Sequence, residues 1–423
     1  MSNPEQRLRR TLGFIDATAI GLGAIIGAGV FVAISPAVDI AGSAALIALV
    51  IAGFVALFNS LSSAQLAAAY SESGGTYAYG RIVINDLTGF IAGWIFVIAA
   101  ISADSAIALA FAAYLGIFLP SISPKLIVAL IGITVTLFNY FGMSYSARVN
   151  TILVALKVGI LALFIVFGAF YFNPSRLAPF SPRRVFNVFH AAAILFFAYT
   201  GYARIATLGE EVRDPARTIP RAILTALSVS ALLYIGTLAI ALGLIGASGI
   251  SSSQSPLSTA MGATGVRTAV YVISLGAVIA TFSVFLTDLM GISRVIFAMG
   301  RNKDLPYWFS TLHEKYGTPH RSVLASGLMV VILSVLLPLR NLVEAGSFGL
   351  LVYYGITNLA AFRLSDDKRR YHRAWAVAGF ISCFGLAFFL PWKVVSLELL
   401  VVAVGIGYFI AVWHLGRKPW LRE

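Results

Sequence analysis

Apolar residues fill this chain in long runs, and polar residues gather in the short connections between them. The runs lie at about 14–34, 41–70, 87–119, 124–142, 147–172, 186–209, 220–247, 267–300, 320–338, 341–363, 373–391 and 395–415. Each is close to or above the roughly 20 residues an α-helix needs to cross a bilayer. The pattern therefore predicts about twelve transmembrane helices, several long enough to tilt or to extend into water. The ninth and tenth are the hardest to divide, with only Pro338 and Arg340 between them. No soluble domain is inserted, because the connections are short.

Composition agrees with the pattern. Of 423 residues, 59% are hydrophobic and 11% charged, with a mean hydropathy of +0.90. Soluble domains carry about a quarter charged residues, so here the lipid must cover the apolar surface. The expected fold class is an all-α polytopic membrane protein. The net charge of +13 reads as a topology signal and not as a nucleic-acid footprint. Most Lys and Arg, including Lys368-Arg369-Arg370 and Arg417-Lys418, fall in one alternate set of connections. By the positive-inside rule this set is cytoplasmic. The expectation is a multi-pass protein of the cell (plasma) membrane with both termini in the cytoplasm. The first segment has no small-residue cleavage site, so no removable signal peptide is expected. The single cysteine, Cys383, excludes an intrachain disulfide and an all-cysteine metal site.

With this topology, the longest outer connection, 248–266, has room for a small amphipathic turn. The inner connection 301–319 holds Asp304-Leu-Pro306 and Tyr316-Gly-Thr-Pro319, which predicts a helix stop, a short helix and a restart.

The first run contains Gly21-Leu-Gly-Ala-Ile-Ile-Gly-Ala-Gly-Val-Phe31. Four glycines in so short a stretch loosen the helical ladder, and an opened backbone is tolerated at membrane depth only beside protein or a water-filled cavity. The run reads as a broken membrane helix whose amides and carbonyls face a ligand. Close packing of the small-xxx-small type is the alternative. A dinucleotide loop is excluded by the lack of a strand–turn–helix context. The sixth run echoes the first with Phe196-Phe-Ala-Tyr-Thr-Gly-Tyr202. The two positions are five helices apart, an odd number of crossings, so a second copy of five would run inverted to the first. Matching interrupted helices in two halves point to a transporter's binding site. The expected architecture is a core at 1–363 of two inverted repeats (about 10–172 and 186–363), with two additional helices at 364–423.

Four stretches carry a resemblance. They are Gly27-Ala-Gly-Val-Phe31; Ser73-Gly-Gly-Thr-Tyr-Ala-Tyr79 followed by Gly93-Trp94; Phe197-Ala-Tyr-Thr-Gly-Tyr202 with Glu210-Glu-Val-Arg-Asp-Pro215 and Ile219-Pro-Arg221; and Ser293-Arg-Val-Ile-Phe-Ala-Met299 with Tyr316-Gly-Thr-Pro319. In this order the chain resembles the amino acid–polyamine–organocation (APC) superfamily of secondary transporters over nearly its whole length. The resemblance implies a 5+5 inverted-repeat (LeuT-like) core with helices 1 and 6 broken mid-membrane. It also implies that the substrate carboxylate meets amides around Ala28 and Gly29, where half-helix dipoles favour an anion. The α-amine would be held by carbonyls freed near Ile25 and around Phe197, Thr200 and Gly201. Phe197 would close over the substrate, its alternative being ordinary helix packing.

Ionisable residues at membrane depth are functional candidates by default. Lys157, in the fifth helix, must be paired, deprotonated or functional, and is a candidate proton carrier. The resemblance places it where related transporters hold a sodium ion, tying the fifth helix to the first and eighth, while a snorkelling lysine is the bland alternative. Asp104, among small residues of the third helix, is a candidate for a substrate's ammonium or cationic side chain, or else a structural partner for a buried cation. Asp288 pairs with Lys157 or with Arg204, and Arg204 itself either faces inward or reaches the inner surface. Thr281 and Ser283 are candidate hydroxyls near Lys157, unless they bond their own backbone. The five histidines form no metal-ligand spacing. Glu210 and Glu211 with Arg213, Arg217 and Arg221 are either a charge latch or a solvated loop.

The functional expectation is a secondary amino-acid transporter working by alternating access, by proton coupling or sodium-independent exchange, with no cofactor. Polyamine or cationic amino-acid transport is the alternative, and a channel or receptor a remote one. No constellation suited to a membrane-embedded enzyme is visible. Expected partners are the amino acid, protons and the bilayer, with the chain a monomer or homodimer.

Overall fold

The computed structural model describes residues 12–27, 29–70, 75–143, 147–178, 185–206 and 211–414. Among these, every regular element is helical, and β-pairing is limited to an isolated bridge between Leu12 and Val212. In chain order the helices are α1 (Phe14–Ile25), α2 (Ile34–Ala41), α3 (Ala45–Ala69), α4 (Gly75–Val83), α5 (Asp86–Leu115), α6 (Pro124–Tyr140), α7 (Ala147–Ala169) and α8 (Val185–Phe196). After them come α9 (Ala203–Ala206), α10 (Pro215–Ser251), α11 (Pro256–Gly262), α12 (Arg267–Arg301), α13 (His320–Leu336), α14 (Leu339–Phe362), α15 (Arg373–Phe388) and α16 (Trp392–His414).

The helices begin and end close to where the apolar runs do. Pro338 stands at the N-terminal cap of α14, a position where proline's missing N–H costs nothing, and so divides α13 from α14. Among the described residues, eight stretches are long and apolar enough to cross a membrane, one of them taking in α1 to α3. α6, α13 and α15 are also apolar but shorter, with 17, 17 and 16 residues, at the lower edge of the spanning range. The 248–266 connection folds as α11, and a 3₁₀ turn at Tyr307–Ser310 interrupts the 301–319 connection.

The bundle sorts its helices by depth. In the most apolar window of each, α14 is 78% buried and α5 72%, against 17% for α16. α14 and α5 pack along each other at the centre, with α12 on the other flank of α5. Large apolar side chains such as Phe170, Leu232 and Leu336 are exposed on the periphery. That much apolar surface has no place in water and suits a lipid environment.

A polar cluster closes the end of the bundle that carries Leu12. There the Tyr77 hydroxyl donates to Asp304 Oδ2 at 2.7 Å and accepts from Asn302 at 2.8 Å, while Arg81 pairs with both Asp304 and Asp86. Burial and the Asp304 carboxylate keep the Tyr77 phenol protonated, with a pKa above its ordinary value. The backbone of Leu12 clasps the segment after α9, its N–H donating to the Glu211 carbonyl at 3.0 Å and its carbonyl accepting from Arg213 at 2.9 Å. Glu210 lies outside the described residues, and the ion pair seen in this loop, Arg217 with Asp214, is exposed.

Candidate functional site

The glycine-laced run breaks the first helix. α1 stops when Ile26 turns to an extended conformation (φ −79°, ψ 103°) and Gly27 takes φ +156°, a value that side-chain-bearing residues rarely adopt. Space makes the same demand, since a Cβ on Gly27 would stand 2.8 Å from the Ala280 carbonyl oxygen of α12. After a π-helical turn at Gly29–Ala33 the chain resumes as α2. The second break follows α8, where Phe197–Tyr202 winds as a 3₁₀ helix.

The two breaks lie back to back. A Cβ on Gly29 would stand 2.6 Å from the Ala198 Cα and 2.7 Å from its carbonyl oxygen. One on Gly201 would overlap the backbone of Ala24 and Ile25. Only glycine lets main chain approach main chain this closely. Of the residues expected to form the site, Ile25, Gly29, Phe197, Thr200 and Gly201 are thus brought together. Ile25, Gly29 and Phe197 are buried, Thr200 and Gly201 half-buried, and Ala28 lies outside the described residues.

A helix that ends inside a protein leaves its last carbonyls without amide partners, so each needs another donor. Lys157 Nζ, from α7, donates to the Gly23 carbonyl at 2.9 Å. The Tyr234 hydroxyl, from α10, donates to the Ile25 carbonyl at 2.6 Å and lies 3.3 Å from the Ala198 carbonyl of the second break. The Tyr354 hydroxyl, from α14, donates to the Thr200 carbonyl at 2.9 Å, and Thr200 Oγ1 to the Phe197 carbonyl at 3.0 Å. Lys157 therefore places its amine at the negative end of α1, where a cation is favoured. At 3% exposure it does not snorkel. The Ile25 carbonyl, expected to be free, has one of its two lone pairs engaged by Tyr234.

A group of charges lies beside this junction. Arg204, just past the second break, pairs with Asp288 of α12 and donates to the Thr287 carbonyl. This settles the choice between the two partners considered for Asp288. The side chains of Arg204 and Asp288 keep 25% and 28% of their surface accessible, so the pair is half-buried and not sealed in the core. Both act electrostatically on Asp104 of α5, and Asp288 acts on Lys157. Asp104 itself is fully buried, and neither carboxylate oxygen has a hydrogen-bond partner among the described residues. Thr281 and Ser283 bond carbonyls of their own helix, Ala277 at 2.7 Å and Ala280 at 3.1 Å.

Sequence reasoning missed Tyr234 and Tyr354, which look like core residues in apolar helices. It also passed over His190. At the end of the bundle remote from Leu12, His190 of α8 sits 3.1 Å from Glu344 of α14. The same Glu344 oxygen accepts from Arg340 at 3.0 Å, and Arg340 reaches Asp39 of α2 at 3.0 Å. One polar chain thus joins the segment after the first break to the segment before the second. The four-residue spacing of Arg340 and Glu344 was the visible signal.

Two interrupted helices packed break to break, with buried ionisable groups around them in an apolar bundle, define a membrane transporter. Sequence comparison narrows the class. The chain belongs to the amino acid permease family, whose profile matches residues 16–418. It is 40% identical over 404 residues to an uncharacterized transporter of Mycobacterium tuberculosis, covering 95% of this chain and 91% of that one. With the branched-chain amino acid permease BcaP of Bacillus subtilis it shares 32% over 435 residues, 96% and 94% of the two chains. With the chloroplastic cationic amino acid transporter 7 of Arabidopsis thaliana it shares 27% over 419 residues, 92% and 71%. The protein is a multi-pass membrane permease, not an enzyme, and its family implies a small-molecule amino-acid substrate.

Proposed function

We infer that the chain is a secondary active transporter that moves amino acids across the cytoplasmic membrane by alternating access. It does so with proton coupling or as a sodium-independent exchanger. In this reading the helices make twelve crossings, the stretch 14–69 supplying two of them, and both termini are cytoplasmic. Residues about 10–172 and 186–363 form two inverted repeats, and 364–423 adds two peripheral helices. The observation that carries the reading is the meeting of the two breaks at Gly29–Ala198 and Gly201–Ala24, with backbone groups from both in one place. An amino-acid zwitterion fits such a junction. Its carboxylate faces amides at Ala28 and Gly29, its ammonium takes carbonyl lone pairs near Ile25, Phe197, Thr200 and Gly201, and the Phe197 ring closes over it. Thr200, Gly201, Arg204 and Asp288 are the partly accessible groups, and they lie on the side that carries Leu12, which we take as the open, cytoplasmic side.

Lys157 is assigned to coupling, because its ammonium fills a carbonyl site at the end of α1 and its protonation changes the charge there. The test is uptake of radiolabelled amino acids and putrescine into liposomes with and without an inward proton gradient, repeated in Lys157→Ala. Proton-driven uptake that falls back to exchange in the variant supports the assignment. Uptake indifferent to pH and dependent on internal substrate makes the protein an exchanger and Lys157 structural.

A cationic amino acid or a polyamine is the second reading, favoured by the unpartnered Asp104 carboxyl. A polyamine has no carboxylate for the Gly29 amides, so transport of putrescine without any amino acid would overturn that part of the site.

A further inference from the structure

Among the described residues, Asp104 stands apart from most of the other buried charges, which have partners; Glu398 of the peripheral α16 shares the lack of one. Arg204 and Asp288 hold each other, Lys157 holds the Gly23 carbonyl, and Glu344 is held by Arg340 and His190. The two carboxylate oxygens of Asp104 are buried without a donor among the described residues. Hydroxyls beside it on α5 do not help, because Ser102 donates to the Ile98 carbonyl at 3.0 Å and Ser105 to the Ile101 carbonyl at 2.7 Å. α14 presses close on the turn before it, where a Cβ on Gly346 would stand 3.3 Å from the Ala99 carbonyl.

The charges that act on Asp104 are Asp288 from α12 and Arg204 from beyond the second break, and they neutralise each other. On the other elements packed against α5, Glu344 of α14 is engaged as described. Arg81, on α4, is engaged by Asp304 and Asp86 at the far end of α5. Glu398, on α16, is a buried acid and no source of positive charge. A buried carboxylate needs a pairing cation or a hydrogen-bond donor, and lacking both it holds a proton instead.

We propose that Asp104 is the point at which a proton and the cationic end of a substrate compete. The proposal rests on the amino-acid transporter reading and deepens it. In the structure as it stands the carboxyl keeps its O–H bond. When an ammonium or guanidinium side chain arrives, that bond breaks and the proton passes to water by way of the partly accessible Arg204–Asp288 pair. The carboxylate then accepts an N–H of the substrate. An uncharged side chain leaves the proton in place. The site bears the same net charge in both cases, so one pocket serves both substrate classes. Lys157 is held by the Gly23 carbonyl of α1, and its titration is present alike in the wild type and in Asp104→Asn, so the variant separates the two groups.

The experiment measures apparent KM for radiolabelled leucine and lysine in liposomes holding the purified protein, from mildly acidic to mildly alkaline buffer. We expect the lysine value to rise by up to about tenfold per unit of acidification relative to the leucine value. In Asp104→Asn the ratio of the two should stop changing with pH, whatever the residual rate, and Asp104→Glu should restore the change. A second measurement does not need the variants to fold. With a pH-indicator dye, lysine added to the wild-type protein in weakly buffered detergent solution should release protons, and leucine should not. A lysine-to-leucine ratio that is flat with pH in the wild type, or proton release that is equal for the two, overturns the proposal and leaves the transporter reading intact. Failure to bind or move either amino acid overturns the transporter reading itself, and this inference with it.

Discussion

Replacing Gly29 by alanine probes the junction of the two breaks with a single methyl group. The added carbon would stand 2.6 Å from both the Cα and the Cβ of Ala198. Carbon atoms in contact prefer a separation of about 3.5–4.0 Å, so the methyl group intrudes by about an ångström. Neither neighbour is the free end of a side chain, and the two backbones must part. Overpacking of this kind costs about 1–3 kcal/mol, and a shift of about 1 Å in a positioned site can lower its rate about a hundredfold. Gly159→Ala is the matched control, because a Cβ at that position meets nothing within 4 Å and alanine favours a helix by up to about 1 kcal/mol. The assay pairs thermal unfolding in detergent with initial rates of leucine uptake into liposomes. We expect Gly159→Ala to match or exceed the wild type in stability and to transport normally. Gly29→Ala should fold with a lowered melting temperature and lose most of its transport. Wild-type transport by Gly29→Ala would refute the claim that the two breaks touch through main chain at this point.

Tyr234→Phe removes the donor from the Ile25 carbonyl and should destabilise the protein by about 1–3 kcal/mol, the cost of a stranded buried acceptor; an unchanged denaturation midpoint would show that water takes the hydroxyl's place. For Arg204→Ala, Asp288→Asn and the double variant, a double-mutant cycle on unfolding free energy should return a coupling of about 0.5–3 kcal/mol, whereas additive effects would mean that the pair does not form. Tyr77 has its pKa raised in the folded state by burial and by Asp304, so its contribution to stability is complete below the ordinary tyrosine pKa of 10.0 and fades as the pH climbs through the folded value. The melting temperature of the wild type should therefore fall more steeply above pH 10 than that of Tyr77→Phe, and parallel slopes would argue against a buried phenol.

The positions of the helices were legible because lipid demands long uninterrupted apolar runs, and interruptions such as Pro338 stand out within them. Both breaks were legible for a related reason. Gly27 and Gly29 in the first run, and Thr200-Gly201 in the sixth, weaken a ladder that nothing else in hydrocarbon can replace. Charged residues at membrane depth announced themselves in the same way. What stayed hidden was pairing. Whether Asp288 meets Lys157 or Arg204 depends on the rotation of α12 about its axis, and an apolar helix with little amphipathic pattern does not record that angle. Tyr234 was hidden because its hydroxyl answers a need created elsewhere, at a carbonyl freed by a break 209 residues away in sequence. His190 was set aside for want of metal-ligand spacing, yet its partner Glu344 lies 154 residues distant, beyond the reach of any local pattern.

The polar chain Asp39–Arg340–Glu344–His190 joins three helices in series, with Glu344 accepting from both of its neighbours through one oxygen. The two contacts that share the Glu344 oxygen are coupled: drawing His190 away leaves Glu344 with Arg340 alone in a buried site. A motion that parts α8 from α14 must break the buried His190–Glu344 contact, while the exposed Asp39–Arg340 pair adds little resistance when α2 moves. The cost of opening that end of the bundle therefore falls on one buried contact, and replacing His190 alone would lower it.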